Sequence, residues 1–257
     1  MKGFIFDLDG TIYIDDEVIS GAVEAIKILK ERGDKVVFLT NKSIASRNDY
    51  VVKLNKLGIE VELSEVINSN YITTNYLRSV MDEEDSVYVI GEEPLFEELL
   101  EEKVKLADVP AEASYVVLGW DRKFSYDKLN NAFQAWRNGA KVLATNPDRT
   151  CPVQGGEIPD CGAMIGAMEG ATGEPVTMIT GKPSSMMSEY VLDQVLGMNA
   201  DDCFMIGDRL ETDIRMANEA GIKSVLVMTG ITNEEMLKTA SHLPDYVLDS
   251  VRDITRL

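Results

Sequence analysis

Short apolar runs alternate with helix-period segments along almost the whole chain. That alternation restricts the fold to the α/β class with a mainly parallel sheet. The first run is residues 3–7, and a helical segment carrying Val23, Ile26 and Leu29 follows until Gly33 stops it. Lys35-Val36-Val37-Phe38-Leu39 reads as a second strand, and Tyr50, Val51, Leu54 and Leu57 recur at helical spacing before Gly58. Residues 64–80 read as a third helix. Met81-Asp82-Glu83-Glu84-Asp85 is then an acidic connector, and a separate β-α series begins. Its strands are expected near 86–90, 115–119 and 141–145, its helices near 94–102, 125–138 and 162–171. Gly173-Glu174-Pro175 is a second break, followed by strand 177–180, helix 184–196, strand 203–207, helix 212–220 and strand 224–228. The simplest architecture is one α/β unit made of residues 1–80 and 177–257, with a second α/β unit, 81–176, inserted into it.

At 257 residues the chain can bury one large or two small cores. Its net charge of −19 repels a phosphate backbone and an anionic bilayer, so neither nucleic acid nor membrane is an expected partner. An anionic substrate therefore needs a local positive site. No run approaches the roughly 18 apolar residues of a membrane helix, and no secretory leader is visible. Cys151, Cys161 and Cys203 lack Cys-x-x-Cys spacing, which fits reduced thiols in the cytoplasm. The single histidine, His242, reads as a loop residue, and zinc sites built on histidine pairs are excluded. Gly162, Gly166 and Gly170 recur every four residues, which is read as close packing of a helix on a neighbouring strand.

Four segments carry chemistry. Phe4-Ile5-Phe6-Asp7-Leu8-Asp9-Gly10-Thr11 ends an apolar strand in two aspartates at i and i+2, which point the same way. Two carboxylates so close repel unless one is protonated or a hard divalent cation lies between them. Leu39-Thr40-Asn41-Lys42-Ser43 turns from apolar to polar at a strand end, where open α/β sheets bind ligands. Thr40 can donate to a phosphoryl oxygen there, or serve as a loop or capping residue. Ile179-Thr180-Gly181-Lys182-Pro183-Ser184 is not a Walker loop, because Val176 stands at the first glycine position and Pro183 follows the lysine. Lys182 can reach an anion or carboxylate, or be a surface lysine. In Cys203-Phe204-Met205-Ile206-Gly207-Asp208-Arg209-Leu210-Glu211-Thr212-Asp213, Asp208 can ligate a cation beside Asp7. Asp213 can hold Lys182 or a metal-bound water, or simply complement a helix dipole.

Taken in order, Asp7-Leu8-Asp9-Gly10-Thr11, Thr40, Lys182 and Gly207-Asp208 with Asp213 resemble the motifs of the haloacid dehalogenase superfamily of aspartate-nucleophile phosphatases. The insertion between the second and third motifs resembles the class IIA cap of the NagD-like, or 4-nitrophenylphosphatase-like, subfamily. Val117-Leu118-Gly119-Trp120-Asp121, Phe124-Ser125-Tyr126 and Ala144-Thr145-Asn146-Pro147-Asp148 are similar to its cap segments, with Trp120 departing slightly from the usual aromatic. Arg209 and Glu211 fill variable positions. The resemblance implies a Rossmann-like core, an inserted cap and hydrolysis of small phosphomonoesters, with p-nitrophenyl phosphate as an artificial substrate.

It further implies Asp7 as nucleophile, Asp9 as general acid and base, and Thr40 and Lys182 as catalytic supports. Gly10, Thr40, Asn41, Lys182, Asn146 and Asp148 are implied around the phosphate and substrate, and Asp7, Asp9, Asp208 and Asp213 around Mg²⁺. The expected partner is a small phosphorylated metabolite, with dimerisation through the cap left open. Asn146-Pro147-Asp148 either selects substrate or is an ordinary turn. The rival readings are a metal-independent dehalogenase, which the second aspartate opposes, a non-catalytic phospho-acceptor, which Asp7 on the first strand and the large insertion oppose, and a binding protein, against which every expected catalytic position is filled.

Overall fold

The computed structural model describes residues 1–153 and 155–257. The chain runs β1 (Gly3–Asp7), a small hairpin of β2 (Tyr13–Ile14) and β3 (Glu17–Val18), α1 (Ala22–Glu31), β4 (Lys35–Thr40), α2 (Arg47–Lys56), β5 (Val66–Asn68) and α3 (Ser69–Val80). It continues through β6 (Val87–Ile90), α4 (Glu93–Glu101), β7 (Tyr115–Leu118), α5 (Tyr126–Arg137), β8 (Lys141–Ala144), a ribbon of β9 (Thr150–Val153) and β10 (Gly156–Pro159), α6 (Cys161–Thr172) and β11 (Met178–Ile179). Then come α7 (Ser185–Tyr190), extended by a wide turn to Leu196, β12 (Cys203–Gly207), another wide turn over Leu210–Ile214, α8 (Arg215–Ala220), β13 (Lys223–Val227), α9 (Glu234–Lys238) and β14 (Tyr246–Leu248).

Six strands form one parallel sheet in the order β14-β13-β12-β1-β4-β5. All five residues of β1 are buried, because helices cover both faces. Phe4 and Phe6 enter one apolar cluster with Phe38 and Phe204, while Ile5 enters the opposite one with Leu39 and Met205. The Phe4 and Phe204 rings stack at 5.2 Å. The strand order reverses at β1, and such a switch point opens a crevice at the carboxyl ends of the strands. Asp7 ends β1, Thr40 ends β4, and Asp208 follows β12, so three of the predicted chemical groups meet at that crevice.

Four strands form a second parallel sheet in the order β11-β8-β7-β6. The strand expected at 177–180 exists, but it pairs with β8 as an edge of this second sheet and does not rejoin the first. Lys182 therefore reaches the crevice from the second sheet's edge. Residues 64–80 are not one helix: Val66–Asn68 is a strand paired with β4, and Asn68 caps α3 by accepting from the Tyr71 N–H at 2.9 Å. The glycine series packs differently from the expectation. A methyl at Gly162 would lie 2.9 Å from the Asp148 carbonyl oxygen, so α6 abuts the 147–149 loop, whereas methyls at Gly166 and Gly170 would meet nothing within 4 Å. His242 lies at a bend in a loop. No helix among the described residues is long and apolar enough to cross a membrane.

Candidate active site

The two sheets are fastened together around the end of β4. The Asn41 carbonyl accepts from Ser69 Oγ at 2.7 Å and from Asn146 Nδ2 at 2.9 Å. The Asn41 side chain grips the backbone of Lys182, accepting from its N–H at 2.8 Å and donating to its C=O at 3.0 Å. Gly181 makes that approach possible, since a β-carbon there would lie 2.4 Å from the Thr145 carbonyl oxygen and 2.6 Å from Asn41 Oδ1. Asn146 is fully buried, and its Oδ1 accepts from the Asp148 N–H at 3.0 Å. Through these bonds Asn41 and Asn146 lock the loop ends that hold Lys182; Asn41 also lines the cleft, whereas Asn146 is fully buried behind it.

Lys182 Nζ donates to Asp213 Oδ1 at 2.7 Å and to Asp7 Oδ1. Asp213 Oδ2 accepts from the Arg209 N–H at 3.0 Å, so both oxygens of Asp213 are occupied by protein donors. Asp208 Oδ2 accepts from the Ile231 N–H at 2.6 Å, while its Oδ1 is buried without a hydrogen-bond partner. Gly10, at φ +83°, lets the chain pass Asp208: a β-carbon there would lie 2.6 Å from Asp208 Oδ2. Thr40 is buried, and its Oγ1 accepts from the Lys42 N–H at 3.1 Å, beside the Tyr50 hydroxyl.

Burial pushes the Asp7 carboxyl well above its ordinary range, an effect opposed by Lys182 and reinforced by Asp213 and Asp208. Asp208 is pushed up to about 7, by burial first and the Asp213 charge second. Burial alone would lower the Lys182 ammonium, but the Asp213 and Asp7 carboxylates outweigh it and hold the proton firmly. One oxygen from each of Asp7, Asp208 and Asp213 lies within 4.8 Å of the others. Three carboxylates thus converge, two of them on one ammonium, and the buried Asp208 Oδ1 is left over. That donor set fits a hard divalent cation, which takes oxygen ligands.

The adjoining cleft is lined by Asp7, Asp9, Lys42, Asp148, Cys151 and Asp160, and leaves about 30 Å³ of free space. That is on the order of one water molecule. It adjoins a groove of about 1080 Å³ that shares Asp148, Arg209 and Thr212 with it. Asp148 and Asp160 face this cleft from the inserted segment, both raised chiefly by burial, Asp160 to about 7 with Asp148 as the next cause.

Two cations beside the predicted set were given no role from sequence. Arg209 crosses to the ribbon, donating from Nη2 to the Thr150 carbonyl at 2.8 Å and standing 3.9 Å from Asp148. Lys42 Nζ donates to Asp9 Oδ1 at 2.9 Å. The signal for Arg209 was its place between two site aspartates; for Lys42 it was its place in a polar run at a strand end.

Comparison with known proteins adds sequence and structural relatives. Residues 4–105 match the family model described as haloacid dehalogenase-like hydrolase, and residues 179–254 match a second one of the same superfamily, HAD-hydrolase-like. The sugar-phosphatase AraL of Bacillus subtilis is 40% identical over 257 residues, covering 99% of this chain and 92% of that protein. The solved 4-nitrophenylphosphatase of Thermotoga maritima superposes with a TM-score of 0.92 at 33% identity, covering 100% of this chain and 97% of the other. The p-nitrophenyl phosphatase of Archaeoglobus fulgidus superposes with a TM-score of 0.91 at 35% identity over 99% and 98% of the two chains.

Proposed function

The chain belongs to the haloacid dehalogenase-like hydrolases, and from that premise we propose how it hydrolyses small phosphomonoesters. Asp7 attacks phosphorus in line, the ester P–O bond breaks, and an aspartyl phosphate forms on Asp7. Asp9 gives its proton to the departing alcohol oxygen. It then takes a proton from the water that attacks the aspartyl phosphate, releasing phosphate and restoring Asp7. Lys182 offsets the negative charge at Asp7, and Thr40 donates to a phosphoryl oxygen. Asp213 orients Lys182. Asp7, Asp208 and the Asp9 carbonyl would hold Mg²⁺, which when bound neutralises charge between nucleophile and phosphoryl group. The observation that carries this reading is the convergence of Asp7, Asp208 and Asp213 on one another, with Lys182 bonded to Asp7 and Asp213 and with Asp208 Oδ1 buried and unpartnered.

Residues 81–176 are read as a cap that opens to admit substrate, with hinges at 81–85 and 173–175. Support comes from the cleft, to whose lining the inserted segment contributes Asp148, Cys151, Pro152 and Asp160 beside Asp7 and Asp9. Closure keeps bulk water from the reaction until the alcohol leaves. A covered cleft suits a small metabolite, and sugar phosphates are the first class to test, given the name of the B. subtilis relative. The three buried, unpaired thiols support a reducing, cytoplasmic setting.

The test is phosphate release from a panel of sugar, alkyl and aryl phosphates, before and after EDTA treatment and with Mg²⁺ added back. Turnover that vanishes with EDTA and returns with Mg²⁺ is expected. Absence of phosphate release from every ester would overturn the substrate class. Full turnover in metal-free buffer would overturn the metal assignment.

A further inference from the structure

We propose that Lys42 is a positioning residue: it holds Asp9 by one carboxylate oxygen and leaves the other to exchange the proton with the leaving group. The proposal rests on the reading of Asp9 as general acid. Lys42 is fixed at both ends of its backbone, with its N–H donating to Thr40 Oγ1 at 3.1 Å and its C=O accepting from the Tyr50 hydroxyl at 3.2 Å. Its ammonium lies 2.9 Å from Asp9 Oδ1. Asp9 Oδ2 is buried and has no hydrogen-bond partner. A carboxylate with one oxygen tethered and the other unsatisfied presents one defined atom for proton transfer, and a geometric match of this kind precedes any question of acid strength.

Lys42 differs from the other cations lining the cleft. Lys182 is committed to Asp7 and Asp213, and Arg209 to the Thr150 carbonyl and Asp148. The Lys42 ammonium also stands 5.9 Å from the centre of the Trp120 ring and interacts with the Cys151 thiol. Both of these belong to the inserted segment, whereas Lys42 and Asp9 belong to the first sheet's loops. Three walls therefore fix the ammonium when the segment lies over the cleft. A Lys42–Asp9 pair with about a fifth of each side chain exposed is neither a freely solvated surface pair nor a sealed one. Its geometry can depend on what closes over it.

Leaving-group chemistry isolates this role. p-Nitrophenol departs as a stabilised phenolate and needs little proton donation, whereas a simple alkanol needs a proton to leave. The quantity to compare is kcat/KM, which covers only the steps through alcohol departure and is blind to hydrolysis of the aspartyl phosphate. Lys42→Met should lower kcat/KM for an alkyl phosphate by roughly 10- to 100-fold, and for p-nitrophenyl phosphate by less than about 3-fold, since positioned proton transfer contributes about 10²–10⁴ in all. Asp9→Asn should show the same leaving-group pattern more strongly, and the double variant should lose no more on the alkyl ester than Asp9→Asn alone. Lys42→Arg keeps a cation at Asp9 and should recover most of the alkyl rate. Equal losses on both esters, or additive losses in the double variant, overturn the positioning role. A parent enzyme inactive on both esters would instead overturn the phosphatase reading itself.

Discussion

A single methyl group at Gly207 should dismantle the charge cluster from behind. Gly207 ends β12, and a β-carbon built there would lie 2.3 Å from both Cγ and Oδ2 of Asp213 and 2.4 Å from its Cβ. Real atoms do not approach so closely. Because the Asp213 β-carbon is one of the three, no rotation of that side chain relieves the clash. The turn over Leu210–Ile214 must move, and with it the 2.7 Å bond from Lys182 to Asp213. Overpacking of this kind costs about 1–3 kcal/mol, and separating a buried ion pair costs about 3–5 kcal/mol when complete. Partial relaxation makes a total of about 3–5 kcal/mol reasonable, and at roughly 2–4 °C per kcal/mol for a chain of this size Tm should fall by about 10 °C. Lys182 would lose its orientation toward Asp7, so kcat should fall in the protein that remains folded. Thermal unfolding and p-nitrophenyl phosphate turnover read the two effects separately. Gly166→Ala is the matched control. Its methyl meets nothing within 4 Å on α6, and replacing a helical glycine should raise stability by about 0.5–1 kcal/mol without touching kcat. A Gly207→Ala protein with parental Tm and kcat would refute the argument that Asp213 needs the space over that glycine.

The remaining expectations concern other parts of the site. Asp160 is raised to about 7 in the fold against an ordinary value near 3.8, so its ionised form is disfavoured there, and the stability it supports below about pH 4 is lost as pH rises to about 7. That gap corresponds to roughly 4 kcal/mol at most. Asp160→Asn keeps the cap on the Cys161 N–H and should raise Tm at pH 8 but not at pH 4, which thermal scans across pH would check. Asn146→Ala strips buried partners from the Asn41 carbonyl and the Asp148 N–H, and should lower stability by about 2–4 kcal/mol while leaving the ranking of phosphomonoesters unchanged in a substrate panel. Mg²⁺ at 100 times its Kd should stabilise the folded chain by about 2.7 kcal/mol, read as a Tm increase that Asp208→Asn abolishes.

The first sheet was legible where local pattern sufficed. β1, β4 and β12 are apolar runs ending in polar groups, and their order alone put Asp7, Thr40 and Asp208 at strand ends. β5 was missed because Val66-Ile67-Asn68 runs straight into α3, and three apolar-leaning residues fit a helical period as well as a strand. The sheet membership of β11 was not readable, since two residues of parallel strand carry no local mark of the partner they choose. Asn41 and Asn146 were identified by type but not by task. A turn sequence announces a polar amide, yet only tertiary packing decides which backbone groups it holds. Lys42 stood in the polar run read at the end of β4, but its pairing with Asp9 joins two loops 33 residues apart.

The central claim is that the phosphoryl group passes through the carboxylate of Asp7. Rapid acid quench during turnover of a good substrate, followed by borohydride reduction, converts an acyl phosphate to an alcohol, and peptide mass spectrometry locates the altered residue. The account predicts homoserine in place of Asp7, formed only with substrate present and absent from a folded, inactive Asp7→Asn protein. Reduction at another carboxylate, or steady phosphate release by Asp7→Asn, would contradict it.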